Sequence, residues 1–315
     1  MSRSSPTRWP PRARAAPAGA SWLFAVLIAL VVTTPTAAVA ADPAQDACHT
    51  ASPDCVAVGH WNFSLEFGGG VRTNPLAGSD NIPLIVIPHI SYYGKRFFLD
   101  DLDVGVTLFE RDANTFNLVA SPGYDRVYFY TADLQNIFIS GLPTSGSSSS
   151  QPPAYAPVGT AGTTAERVAQ TAPYAEQFPR RARQWTYLAG PEWTFKYESI
   201  SGQLDLLHEI TDKYHGNQIR AALGFPLIET HGVLTADVGM TWNSAAYVNY
   251  YYGEGGIYSG GSALDPFVKL GYGIPVSRKC RFNAFVEYEH LGRAIAASPI
   301  VAENHVVTIF VGFIF

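Results

Sequence analysis

The stretch H-V-V-T-I-F-V-G-F-I-F, residues 305–315, alternates with a period of two. Phe315, Phe313, Val311, Ile309 and Val307 form one wholly apolar face, and Ile314, Gly312, Phe310, Thr308 and Val306 form a more mixed one. Successive side chains of a strand point to opposite sides. This stretch therefore predicts a strand with lipid on one face and a filled interior on the other, ending on an aromatic residue.

The same alternation recurs upstream. Trp61, Phe63, Leu65 and Phe67 oppose Asn62, Ser64, Glu66 and Gly68, and residues 84–93 form a more uniformly apolar strand that ends in Tyr92, Tyr93 and Gly94. Leu102, Val104, Val106 and Leu108 oppose Asp101, Asp103, Gly105 and Thr107. Residues 115–124 give a shorter, weaker strand. Past residue 184 the pattern sharpens. Trp185, Tyr187, Ala189, Trp193 and Phe195 oppose Glu192 and Lys196, while Leu204, Leu206 and Ile210 oppose Gln203, Asp205 and Glu209. Ile219, Ala221 and Leu223 oppose Gln218 and Arg220, and Leu234, Ala236, Val238 and Met240 oppose Thr235, Asp237 and Thr241. Val268, Leu270 and Tyr272 oppose Lys269 and Gly271, and Phe282, Ala284, Val286 and Tyr288 oppose Asn283, Glu287 and Glu289.

Ten-residue segments with charge on the inner face and aromatics at strand ends (Trp61, Trp185, Tyr197, Trp242, Tyr272) mark a transmembrane barrel rather than a soluble sandwich. No apolar run after residue 32 is long enough to cross a bilayer as a helix. A closed barrel is the remaining way to span one, because it leaves no backbone edge in lipid. The predicted fold is all-β: a transmembrane antiparallel up-and-down barrel of about 12 strands, with 10 as the alternative. Eleven strands are evident. The twelfth comes from dividing residues 96–110 near Asp100 and Asp101, or from residues 127–131. Long and short connections alternate past residue 184, which places both chain ends on the short-turn, periplasmic side.

The chain has 315 residues, 15% of them charged and 13% aromatic, with a formal net charge of -5, which gives no footprint for nucleic acid. Arg3, Arg8, Arg12 and Arg14, then the apolar residues 21–32, then Ala38-Val39-Ala40 follow the three-part plan of a secretory signal peptide, so residues 1–40 are expected to be removed. Residues 41–59 are read as an N-terminal periplasmic segment and residues 60–315 as the barrel. Cys48 and Cys55 can close a small disulfide loop, as the compartment permits, or pair with His49 on a metal that finds no further ligands nearby. Cys280 is left as a free thiol in a turn. Residues 125–184 interrupt the series with T-S-G-S-S-S-S-Q-P-P and cannot bury a core of their own. They read as a long low-complexity outer loop, with a helical turn at 165–177 and the cluster Arg180, Arg181 and Arg183. That cluster is a solvated charge run or a contact for a partner or lipopolysaccharide.

Three further matches stand in order: G-S-D at 78–80 with Y-G-K-R-F-F at 93–98, N-Y-Y-Y-G at 249–253, and L-G-R-A-I-A-A-S-P-I-V at 291–301. In this set the chain resembles the MipA/OmpV family, the MltA-interacting proteins. The segment 125–184 departs from it, being longer and richer in Ser and Pro. The resemblance implies an outer-membrane barrel without a catalytic signature or cofactor. It implies a scaffold that binds a murein transglycosylase and a murein-synthesising penicillin-binding protein, and besides these the outer-membrane lipid and the barrel-assembly machinery, for which Phe315 is the signal. A small-solute pore or an adhesin is the alternative.

The residues themselves offer little for catalysis. His89, His208, His290 and His305 have no G-x-S-x-G, H-E-x-x-H or phosphate loop beside them. Glu289 and His290 are adjacent and so face opposite ways. The inward set is instead Glu66, Arg72, Asp103, Glu192, Lys196, Asp205, Arg220, Asp237, Lys269, Glu287 and Glu289. Charges in a narrow lumen must pair or stay hydrated, and pairing across the lumen is the expectation.

Overall fold

The computed structural model describes residues 58–111, 113–130, 183–230, 232–277 and 280–315. The expected leader, Cys48 and Cys55, Arg180, Arg181 and the helical turn at 165–177 lie outside the described residues. Twelve strands are present: β1 (Trp61–Arg72), β2 (Ile82–Tyr93), β3 (Phe97–Asp100), β4 (Asp103–Arg111), β5 (Asn114–Pro122), β6 (Tyr187–Tyr197), β7 (Ile200–Glu209), β8 (Asn217–Glu229), β9 (Val233–Asn243), β10 (Ala263–Ser277), β11 (Cys280–His290) and β12 (His305–Ile314). Each pairs antiparallel with its sequence neighbours, and β12 returns to β1, so the sheet closes into a barrel. The seam runs from Glu66 opposite Ile314 to Arg72 opposite Thr308. Beyond it, Leu65 and Phe315 exchange both backbone hydrogen bonds, at 3.2 and 3.0 Å.

The outward face is apolar and uncovered. Ile85, Leu108, Leu206, Val238, Met240, Val268 and Phe313 are all exposed. On the inward face of the barrel Glu66, Gln203, Asp205, Arg220 and Thr308 are buried. A soluble sheet would reverse that order; a barrel in lipid requires it. Connections at the end holding Trp61 and Phe315 are tight (94–96, 112–113, 198–199, 230–232, 278–279), and the longer ones gather at the other end. The twelfth strand comes from division at Asp100 and Asp101. There Asp101 takes a left-handed conformation (φ 51°). Its N–H donates to the Ile90 carbonyl at 2.8 Å, and its carboxylate accepts from the Ile90 N–H at 2.9 Å. The aspartate thus stands in for the next strand residue and ends the β2–β3 ladder. Residues 127–131, the other source considered for that strand, instead begin in a 3-10 turn (Tyr124–Tyr128).

Close approach at the seam depends on glycine. The Phe310 ring is fully buried. A Cβ on Gly68 would fall 2.6 Å from its Cζ and 2.1 Å from the Val311 carbonyl oxygen, and one on Gly70 would fall 2.8 Å from its Cδ2. The ring lies over this glycine floor, so an aromatic fills space that two side chains would otherwise occupy.

The long connections do not all stay outside. Residues 245–252 form helix α1 (Ala245–Tyr252), with Ser244 as N-cap, and residues 293–296 form the short helix α2 (Arg293–Ala296). Tyr247, Val248, Tyr251 and Tyr252 of α1 pack in one apolar cluster with Val127 and Tyr128 of the 3-10 turn, Ile295 of α2 and the inward residues Leu84, Phe285, Val306 and Phe310. The long connections at 244–263 and 292–304 therefore contribute a plug inside the barrel.

Candidate functional site

The plug is organised by hydrogen bonds as well as by apolar burial. The Tyr252 hydroxyl donates to Asp125 at 2.9 Å, and Tyr251 and Thr186 share a hydroxyl contact at 2.9 Å. Ser298 donates to the Tyr252 carbonyl at 2.6 Å, and the Gly292 N–H donates to Asp265 at 2.6 Å. Tyr214 stacks on Tyr250 and meets the edges of Tyr247 and Tyr251. Burial pushes the Asp125 carboxyl up from its ordinary range, against the lowering effect of the Tyr252 and Tyr247 hydroxyls and of Arg220 and Arg72. Burial likewise raises the hydroxyls of Tyr247, Tyr251 and Tyr252, so they remain neutral donors.

Arg183 corrects the reading of a solvated arginine run. It is buried, its guanidinium donates to the Tyr251 carbonyl at 2.7 Å, and it lies 4.8 Å over the Phe129 ring. Both flanks of the low-complexity segment are thus tied into the plug: Tyr124–Tyr128 on one side, Arg183 and Thr186 on the other. Trp185 lies under the Arg126 guanidinium at 4.9 Å, outside any strand.

Below the plug lie the inward charges. Glu66, Arg72, Asp205, Arg220, Asp237 and Glu287 are buried; Asp103, Glu192, Lys269 and Glu289 are half-buried; Lys196, near the tight-turn end of β6, is exposed. Among these eleven, one ion pair falls within 4 Å: Lys269 to Glu287 at 3.8 Å, with Asp237 facing Lys269 from the opposite strand. The rest turn mainly to neutral partners. Glu192 accepts from Asn117 at 2.6 Å and Gln203 at 2.7 Å, and Gln203 also donates to Asp205 at 3.0 Å. Tyr124 donates to Asp103 at 3.1 Å, Arg72 donates to Thr308 at 3.2 Å, and Arg220 donates to Gln218 at 2.7 Å beneath the Tyr124 ring. Wide pairing across the lumen is therefore not how the interior is satisfied. The barrel diameter separates opposite walls, and amides on neighbouring strands reach these groups first.

Three residues outside the inward charge set complete the picture. His89 sits between two carboxylates, with Nδ1 3.3 Å from Asp101 and Nε2 3.7 Å from Glu66, and Asn283 donates to Glu66 at 2.7 Å. Nε2 of His89 has no hydrogen-bond partner among the described residues. The third, Asp265, joins Asn243 at 2.7 Å and Gly292. The signal for His89 was its place in a strand that is apolar from Ile82 to Pro88, but its partners come from β1 and the β3–β4 hairpin, far apart in sequence. Among the described residues Cys280 is free, at the first position of β11.

Beneath the 3-10 turn and α1 a cavity remains, with about 60 Å³ open to the centres of water molecules. That is room for several waters and far from an open channel. Its walls include Arg72, Arg220, Asp125, Asp265, Glu287 and Glu289.

The family described as MltA-interacting protein MipA matches residues 67–315, well over half of the sequence. No curated protein matches. Among solved structures, the chain is similar to OmpT, an outer membrane protein of Vibrio cholerae, folded in vitro, at 8% identity and a TM-score of 0.35, over 81% of this chain and 96% of that one. It is also similar to a refined porin structure at 6% identity and a TM-score of 0.32, over 81% of this chain and 100% of that one.

Proposed function

The chain belongs to the MltA-interacting protein MipA family, and from that premise we propose that it is a non-enzymatic outer-membrane barrel whose activity is to bind partners. The partners proposed are a murein transglycosylase and a penicillin-binding protein, the pair that the family resemblance implies. The observation that carries this reading is the plug. Tyr247, Val248, Tyr251 and Tyr252 are fully buried against the inner wall, where a pore would keep its path. A lumen filled in this way leaves the loops and turns as the surfaces that can act.

One observation favours the alternative of a small-solute pore. Among the described residues Arg72 and Arg220 have no carboxylate within 4 Å, so part of the interior is wet rather than sealed by ion pairs. Two measurements on one purified sample separate the readings. Immobilised protein should retain a transglycosylase and a penicillin-binding protein from envelope extract, and the same protein in a planar bilayer should give no steady current. A large, stable conductance with neither enzyme retained would discard the scaffold in favour of the pore.

A further inference from the structure

The cavity under the plug holds charges that the protein itself leaves unmatched, and their signs specify a ligand. Of its carboxylates, Asp125 is held by the Tyr252 hydroxyl, Asp265 by Asn243 and the Gly292 N–H, and Glu287 by Lys269. Glu289 has neither a hydrogen bond nor an ion pair within the described residues. Both arginines are more than nine-tenths buried. Each makes one hydrogen bond, through Nε: Arg72 to Thr308 and Arg220 to Gln218. Among the described residues their Nη groups have no acceptor, although a guanidinium presents five donors in a planar fork suited to a carboxylate.

We propose that this cavity is a binding site for a small zwitterion of the amino-acid class, its carboxylate taken by Arg72 and Arg220 and its ammonium by Glu289. Two guanidinium groups with open Nη donors and one carboxylate without a hydrogen bond, among the described residues, suit an occupant that carries both signs. A lone anion would meet Glu287, Asp265 and Glu289 around it, and a lone cation would leave two buried guanidinium groups without an acceptor. The space of about 60 Å³ for water-sized centres limits the occupant to roughly the size of glycine or alanine. Tyr124, stacked on the Arg220 guanidinium at 5.4 Å, fixes the orientation of that fork. This assignment is independent of the partner-binding role, which lies on loops and turns outside the cavity.

The test is calorimetric titration of the folded full chain in detergent with glycine and with alanine, at constant ionic strength. Acetate and methylammonium chloride serve as the two half-ligands. Glycine should bind at least 10-fold more tightly than either half. Arg220→Gln and Glu289→Gln should each weaken glycine at least 10-fold. Arg72→Lys, which keeps the charge and the fold but loses the fork, should weaken it several-fold. Absence of binding by the unmutated protein up to about 50 mM glycine would overturn the proposal. So would acetate or methylammonium binding as tightly as glycine, or unchanged affinity in Arg72→Lys.

Discussion

Asp125 shows what a single buried carboxyl does to the plug. Among the described residues it has no lysine or arginine within ion-pair distance and is held by the tyrosine hydroxyl of Tyr252 instead. Burial raises its pKa in the folded protein. A carboxyl that keeps its proton longer when folded is neutral and costs nothing below the ordinary aspartate value, about 4. Above that value the unfolded chain loses its proton first, so stability falls as pH rises through the window up to the raised folded value. The plug should therefore be firmest in acid. Near-UV circular dichroism of the tyrosine cluster, melted at pH 4 and at pH 8, should give the lower midpoint at pH 8. Asp125→Asn should remove most of the difference; an unchanged difference would assign the pH dependence elsewhere. Arg183 makes the same point about location. A basic residue beside a low-complexity run reads as solvated, yet here its three-way contact with Tyr251, Phe129 and Tyr250 makes it a fastener.

At the scale of elements, β1 and β12 depend on each other through glycine and Phe310. Truncating Phe310 to alanine leaves a void in a filled lumen and should cost about 3–5 kcal/mol. Gly68→Ala should be at least as damaging for a different reason. Its Cβ meets the Val311 carbonyl oxygen at 2.1 Å, and backbone cannot rotate away as a ring can. Combining Gly68→Ala with Phe310→Ala should accordingly not restore stability in urea unfolding of the refolded barrel. Recovery in the double variant would show that the ring, and not the strand contact, sets the limit at the seam. Helix α1 is the second element with a role beyond its length. Eight residues are too few to be stable alone. Its Ser244 cap and its buried tyrosine face hold it against the inner wall.

For the molecule as a whole, closure happens twice. Backbone pairing closes the sheet, and the connections at one end fold back to fill what the sheet encloses. Twelve strands enclose more space than their own inward side chains fill. The aromatic plug takes up the excess at one end, and the hydrogen-bonded charges line the rest. If the plug, not charge pairing, blocks passage, replacing residues 245–252 with a flexible glycine-serine stretch should turn a silent bilayer trace into steady conductance, while Lys269→Met should leave it silent. A silent trace from the loop replacement would mean that the charged layer below also blocks the lumen.

The sequence determined the wall. Period-two alternation puts each side chain on a known face, so the lipid-facing set and the inward charges could be read locally, because a strand's facing depends on neighbours in the chain; the same pattern leaves the twelfth strand between a division at Asp100–Asp101 and residues 127–131. The run S-A-A-Y-V-N-Y-Y-Y at 244–252 also carried a helix signal, an N-cap serine followed by residues 247, 248, 251 and 252 on one face. Nothing in that run says whether the face turns to a partner, to solvent or to the lumen. Only the tertiary structure decided that it fills the barrel, and that Glu66 meets His89 and Asn283, Arg183 meets Tyr251, and Arg72 and Arg220 look into one cavity with no carboxylate of the described residues within 4 Å of either. Those contacts join residues from strands and loops widely separated in sequence. They are fixed by how twelve strands close and how far the walls then stand apart, which no local pattern encodes.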